Sequence, residues 1–85
     1  MSYTPGFAPD AESQWKALEP LFQELALDEV DRLCSQPPPV GEHVTEAVHD
    51  EAGIRHYVFV HTVIDHRRQT VTVVGVGYVA TPIEE

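Results

Sequence analysis

Apolar positions along this chain fall into two kinds of pattern, and each predicts a different element. Ala11, Trp15 and Leu18 recur at spacings of four and three, which places them on one face of a helix. Asp10 stands where a helix cap is needed, so the first helix is read as residues 10–19. Pro20 interrupts this pattern but suits the first turn of a new helix, and Leu21, Phe22, Leu25, Ala26, Val30 and Leu33 continue a broad apolar stripe. The other face of that second helix holds Glu24, Asp28, Glu29 and Asp31, the pattern of a solvated surface. Pro37-Pro38-Pro39 supply no amide donors and end it.

The second pattern is that of strands. Ile54–Ile64 and Thr70–Ala80 are runs of β-branched and aromatic residues joined by the polar segment Asp65-His66-Arg67-Arg68-Gln69, which predicts a β-hairpin. Val44–Val48 supplies a weaker, shorter strand, and Tyr3–Phe7 an edge strand, where Pro5 is tolerated. With Ile64 set opposite Thr70, one side of the hairpin pairs Val60 with Val74, Val58 with Val76 and His56 with Tyr78, a surface suited to covering by the helices. The other side then carries Arg55, Tyr57, Phe59, His61 and Val63 opposite Val79, Gly77, Gly75, Val73 and Val71, with both glycines under aromatic rings. The order of elements predicts one α+β domain over residues 1–85: an N-terminal strand, a helical hairpin, then antiparallel strands, with the helices on one sheet face and the other face partly open.

Composition narrows the function classes. An apolar fraction of 42% with 22% charged residues in an 85-residue chain fits one ordinary globular core. No apolar stretch approaches the roughly 18 residues of a spanning helix, and the N-terminus lacks a basic patch followed by an apolar run, so a cytoplasmic location is expected. Fourteen acidic against five basic residues give a formal net charge of −9, which repels a phosphate backbone and disfavours general nucleic-acid binding. Arg67-Arg68 reads as a solvated turn.

Candidate chemistry is sparse. The single cysteine, Cys34, allows no internal disulfide and no multi-cysteine zinc site, and is expected to pack as a small hydrophobe. His56, His61 and His66 are five apart, so neighbours point to opposite sides of a strand and none pairs at the two-residue spacing that lets one strand chelate. His56 falls on the inner side as a hydrogen-bonded histidine. Gly75-Val76-Gly77 lies inside a strand with no helix start after it, so no cradle of amides forms for a phosphate. No metal and no cofactor are expected.

The layout resembles the RelE/ParE toxin superfamily, in which a helical hairpin packs on one side of an antiparallel sheet. Gly53-Ile54-Arg55-His56-Tyr57-Val58-Phe59-Val60, leading to Asp65, fits the family's third strand, and Val76-Gly77-Tyr78-Val79 fits the end of its last strand. The resemblance implies that Arg55 occupies a position often basic and functional, while Val79 stands where a second arginine is common. Glu46, His49 and Asp50 stand where family nucleases tend to carry basic residues, and the ending Thr81-Pro82-Ile83-Glu84-Glu85 lacks the tyrosine or basic group often found there. RNA cleavage needs a base, positive groups on the phosphate and an acid. Arg55 and His61 are the candidates for such roles on the open face.

What the resemblance implies for function is a toxin-like module of a toxin–antitoxin system that acts by protein contact. Its partner surface is expected at Arg55, Tyr57, Phe59, His61 and Val79, and its partner to be an antitoxin-like segment or a gyrase-like target. Two alternatives stand beside it: a self-associating or scaffold module without toxicity, and a ribosome-dependent messenger-RNA endonuclease with a reduced site.

Overall fold

The computed structural model describes residues 2–84. It contains β1 (Thr4–Phe7), α1 (Pro9–Lys16), α2 (Pro20–Ser35), β2 (Gly41–Glu51), β3 (Ile54–Asp65) and β4 (Thr70–Pro82). The four strands form one sheet in the order β1-β4-β3-β2, with β1 parallel to β4 and the other pairs antiparallel. This is the expected α+β layout.

Proline sets both helix starts. Pro9 and Pro20 each stand at the first helical position, where an absent amide costs nothing, after Ala8 and Glu19 in extended backbone. Asp10 therefore does not cap α1. With Glu12 it lies in the first turn, where a carboxylate meets the positive end of the helix dipole. α1 also ends at Lys16 and not at residue 19, because Pro20 forces Glu19 out of the helical region. The helix junction is locked reciprocally: Trp15 Nε1 donates to the Gln23 carbonyl at 3.0 Å, and Gln23 Nε2 donates to the Trp15 carbonyl at 3.2 Å.

The core lies between α2 and one face of the sheet. Ala11, Phe22, Ala26, Val30, Leu33 and Cys34 meet Val58, Val60, Ile64, Val71 and Val73 there, each at most 6% exposed. Burying a valine, leucine, isoleucine or phenylalanine side chain contributes about 1.5–3 kcal/mol, so this cluster is the main source of stability. Thr62 is also fully buried, and its hydroxyl reaches the His43 carbonyl at 3.4 Å. His56 lies on the same face, its ring 4.9 Å from that of Phe22 and its Nδ1 2.6 Å from the Tyr78 hydroxyl.

The strands differ from the expected register in three places. β2 runs the full eleven residues Gly41–Glu51, more than twice the predicted Val44–Val48. It turns into β3 through Ala52 and Gly53 at φ 52° and 76°, the two left-handed residues of a type I′ turn. At the other hairpin Asp65 pairs with Thr70, so Ile64 faces Val71 and not Thr70. Asp65 Oδ1 accepts from the amides of Arg67 and Arg68 at 2.9 and 3.1 Å, tightening the turn.

Val71 and Val73 consequently face the core, whereas the looser turn had placed them on the open side. A bulge then intervenes: Thr62 pairs with Val73 but His61 with Gly75, leaving Val74 as the extra residue. Beyond it Phe59 faces Gly77, Tyr57 faces Val79 and Arg55 faces Thr81, so Arg55 and Val79 are not directly opposite. β1 also ends at the bulge. Gln14 of α1 takes over the exposed edge of β4, its Oε1 accepting from the Val76 amide at 2.8 Å.

Candidate functional site

The face of the sheet away from α2 is built by alternation along three strands. Five cross-strand rows follow from the pairings: Asp50-Arg55-Thr81, Val48-Tyr57-Val79, Glu46-Phe59-Gly77, Val44-His61-Gly75 and Glu42-Val63-Thr72. Every residue expected at the partner surface, Arg55, Tyr57, Phe59, His61 and Val79, lies on this face. Its centre is apolar and open to solvent. Val44 is 65% exposed, Val48 48% and Val79 51%, and Tyr57 and Phe59 stack with their ring centroids 6.0 Å apart. An exposed cluster of this kind, edged by charged residues, has the make-up of an interaction surface.

Glycine gives the face its shape. A Cβ at Gly77 would lie 3.8 Å from the Phe59 Cβ, and one at Gly75 3.5 Å from the His61 Cβ, so these side chains lean over bare backbone without crowding. The expected pairing of rings with glycines holds only in part: Phe59 sits opposite Gly77 and not Gly75, His61 takes the place opposite Gly75, and Tyr57 faces Val79.

Arg55 is not a free cation. Its Nε and Nη2 donate to the two carboxylate oxygens of Asp50 at 2.8 and 2.9 Å, a bidentate pair across the β2–β3 hairpin. These hydrogen bonds hold the Asp50 carboxyl below its ordinary range and raise Arg55 further above its own. Arg55 is also the only Lys or Arg within the strands. His61 stands 3.8 Å from Glu42, and Glu46 makes no ion pair among the described residues. With Tyr57, Arg55 lines a shallow depression closed by Thr81, Pro82, Ile83 and Glu84.

Arg55 and His61 share the face but not a site. Six residues of strand separate them, about 20 Å at the rise of an extended chain. With its guanidinium held by Asp50 near the far end of the strand, Arg55 does not meet His61 at one phosphorus in this arrangement.

Sequence reasoning missed the contribution of β2. Asp50, Val48, Glu46, Val44 and Glu42 line the same face as the β3 residues, and the type I′ turn at Ala52-Gly53 sets Asp50 against Arg55. The available signal was the gap of two residues between Glu51 and the β-branched run that starts at Ile54. Also unanticipated was the ion pair of buried Glu29 with Arg32 on α2, with Nε–Oε1 at 2.6 Å and Nη2–Oε2 at 3.0 Å. That pair lies outside the open face.

No protein-family model matches the sequence, and no curated protein does. Solved structures do match. A chain of the intact E. coli RelBE toxin–antitoxin complex aligns with a TM-score of 0.66 at 16% identity, covering 89% of this chain and 95% of that one. The RelBE2 toxin–antitoxin complex of Mycobacterium tuberculosis gives 0.62 at 21% identity, with 93% of each chain covered. The archaeal RelE–RelB complex from Pyrococcus horikoshii gives 0.61 at 13% identity over 89% of this chain and 93% of that one. Across nearly its whole length, the chain has the fold of the RelE-type toxins.

Proposed function

We propose that this chain is the toxin-like, protein-binding component of a toxin–antitoxin type pair, acting by protein contact rather than by RNA cleavage. The observation that carries the reading is the state of Arg55: the one strand cation is neutralised by Asp50 in the middle of an acidic chain, beside exposed Val48, Val79 and the Tyr57–Phe59 stack. Phosphoryl chemistry needs uncompensated positive charge where the phosphorane develops. A protein partner needs an apolar centre with a polar rim. The solved relatives named above include toxins in complex with their antitoxins, which favours a partner of that kind.

The test is inducible expression in a bacterial host, with growth, messenger-RNA integrity and DNA gyrase supercoiling followed in the same cells, beside Val79→Glu. This substitution charges the apolar face at a half-exposed position, where the fold tolerates change. The expected result is growth arrest with intact messenger RNA, relieved by Val79→Glu, and a change in supercoiling would identify a gyrase-like target. Messenger-RNA cleavage that Arg55→Ala abolishes would overturn the reading in favour of the endonuclease. Normal growth with abundant folded protein, and sedimentation that depends on concentration, would replace it with a self-associating scaffold.

A further inference from the structure

β2 is a free edge of the sheet, and acidic side chains are all that blunts that edge. Its eleven residues, Gly41–Glu51, contain no proline, lysine or arginine, and its pairing with β3 has no bulge. Natural sheets usually protect an edge of this length with one of those devices, since unpaired amides and carbonyls invite another strand. What β2 carries instead is a ladder of side chains on the open face: Glu42, Val44, Glu46, Val48 and Asp50. Arg55 already neutralises Asp50. Among the described residues Glu42 makes an ion pair with His61 alone, at 3.8 Å, and its side chain is 74% exposed.

The charges on this ladder discriminate among occupants. A second copy pairing antiparallel about Glu46 would set Glu46 against itself, and like charges directly opposite one another destabilise a strand pair; Glu42 would meet an Asp50 already paired with Arg55 and gain no partner. Moving that pairing by two residues puts each glutamate against a valine, with like charges still diagonal neighbours. The edge is thus guarded against its own kind by charge alone, a guard that an oppositely charged strand removes.

We infer that β2 accepts an added strand from a partner protein whose side chains opposite Glu42 and Glu46 are Lys or Arg and whose side chains opposite Val44 and Val48 are apolar. The partner segment then alternates basic and apolar side chains at every second residue, whichever way the strand runs. Main-chain hydrogen bonds supply affinity, and the alternate side chains supply specificity. The chain's net charge of −9 draws a basic segment in by long-range attraction. This inference rests on the protein-contact reading of the open face and names the chemistry of the partner.

The probe is a blocked synthetic peptide repeating Lys-Thr-Val-Thr, with its Glu-Thr-Val-Thr counterpart as control. Both are titrated into the full chain and into the double variant Glu42→Lys/Glu46→Lys, with backbone amide shifts recorded. The lysine peptide is expected to shift β2 amides of the wild-type chain saturably and to bind about tenfold more weakly to the variant or in high salt. The glutamate peptide is expected to show the reverse preference. Equal affinity for both chains, shifts that map elsewhere, or no saturable binding of the lysine peptide would each overturn the inference. None of those results bears on growth arrest, so the toxin reading can survive the loss of the edge assignment, and edge binding without arrest would survive the loss of the toxin.

Discussion

The two faces of β3 share a backbone and differ in almost everything else. Its even-numbered residues from Val58 to Ile64 are sealed under α2 at 0–1% exposure, while Arg55, Tyr57, Phe59, His61 and Val63 on the other side are only half-buried. The covered side carries the weight of the fold through dispersion and burial. The open side carries most of the sheet's charge, two stacked rings and two glycines, features that stability does not require. One strand thus divides into a face that holds the fold together and a face left open, with no residue shared between them.

That division is sharpest in large-to-small substitutions. Ile64→Ala leaves a cavity at a 1% exposed position and is expected to cost about 2–5 kcal/mol by denaturant titration. Phe59→Ala on the open face is expected to cost clearly less, despite removing the larger side chain. Equal losses would mean that the open face belongs to the core.

Acid titration tests the same contrast through charge. The hydrogen bonds from Arg32 keep the buried Glu29 carboxyl below its ordinary range, with burial opposing. A carboxyl depressed by folding stabilises fully above its unfolded value, and that contribution is lost as pH falls through the folded one. Stability should therefore decline as pH falls through and below the ordinary carboxylate range, and Glu29→Gln should flatten the decline while lowering stability at neutral pH by about 1–2 kcal/mol. Asp50, held down by Arg55 on the solvated face, follows the same sign with a smaller amplitude, so Asp50→Asn should flatten the curve less. The reverse ranking would place the significant ion pair on the open face.

Two smaller effects probe the open face itself. Gly77→Ala adds a Cβ at ordinary contact distance from Phe59 and is expected to raise stability by about 0.4–1 kcal/mol through the unfolded chain's lost freedom, measured as a rise in melting temperature. A loss would show that the ring needs the bare backbone. Val79→Arg, at a position 51% exposed, should change stability by less than about 0.5 kcal/mol.

Much of this arrangement was legible in the sequence. The helical stripe of α2, the β-branched character of β3 and β4 and the helical hairpin between strands were all written in local periodicity, and the resemblance to RelE/ParE toxins on Gly53–Val60 and Val76–Val79 pointed to the observed fold. β2 was legible only in its middle, because its valines fall on the open face and the covered face holds His43, Thr45 and His49 beside Ala47, which blurs the two-residue alternation. The bulge did leave a trace. The apolar phase of β4 slips by one between Val73 and Val74, and two adjacent valines at a phase slip mark an inserted residue.

Sequence by itself determined the kind and order of the elements and which positions of β3 share a face, because both follow from the period of the backbone. It also fixed the acidic charge and the poverty of basic groups in the strands. Only the tertiary structure decided the partners across strands: Phe59 with Gly77, Tyr57 with Val79, and Arg55 with Asp50. Register is a non-local property. It depends on a tight turn held by Asp65, on Val71 and Val73 gaining more by burial under α2 than by facing solvent, and on one extra residue that restores the phase.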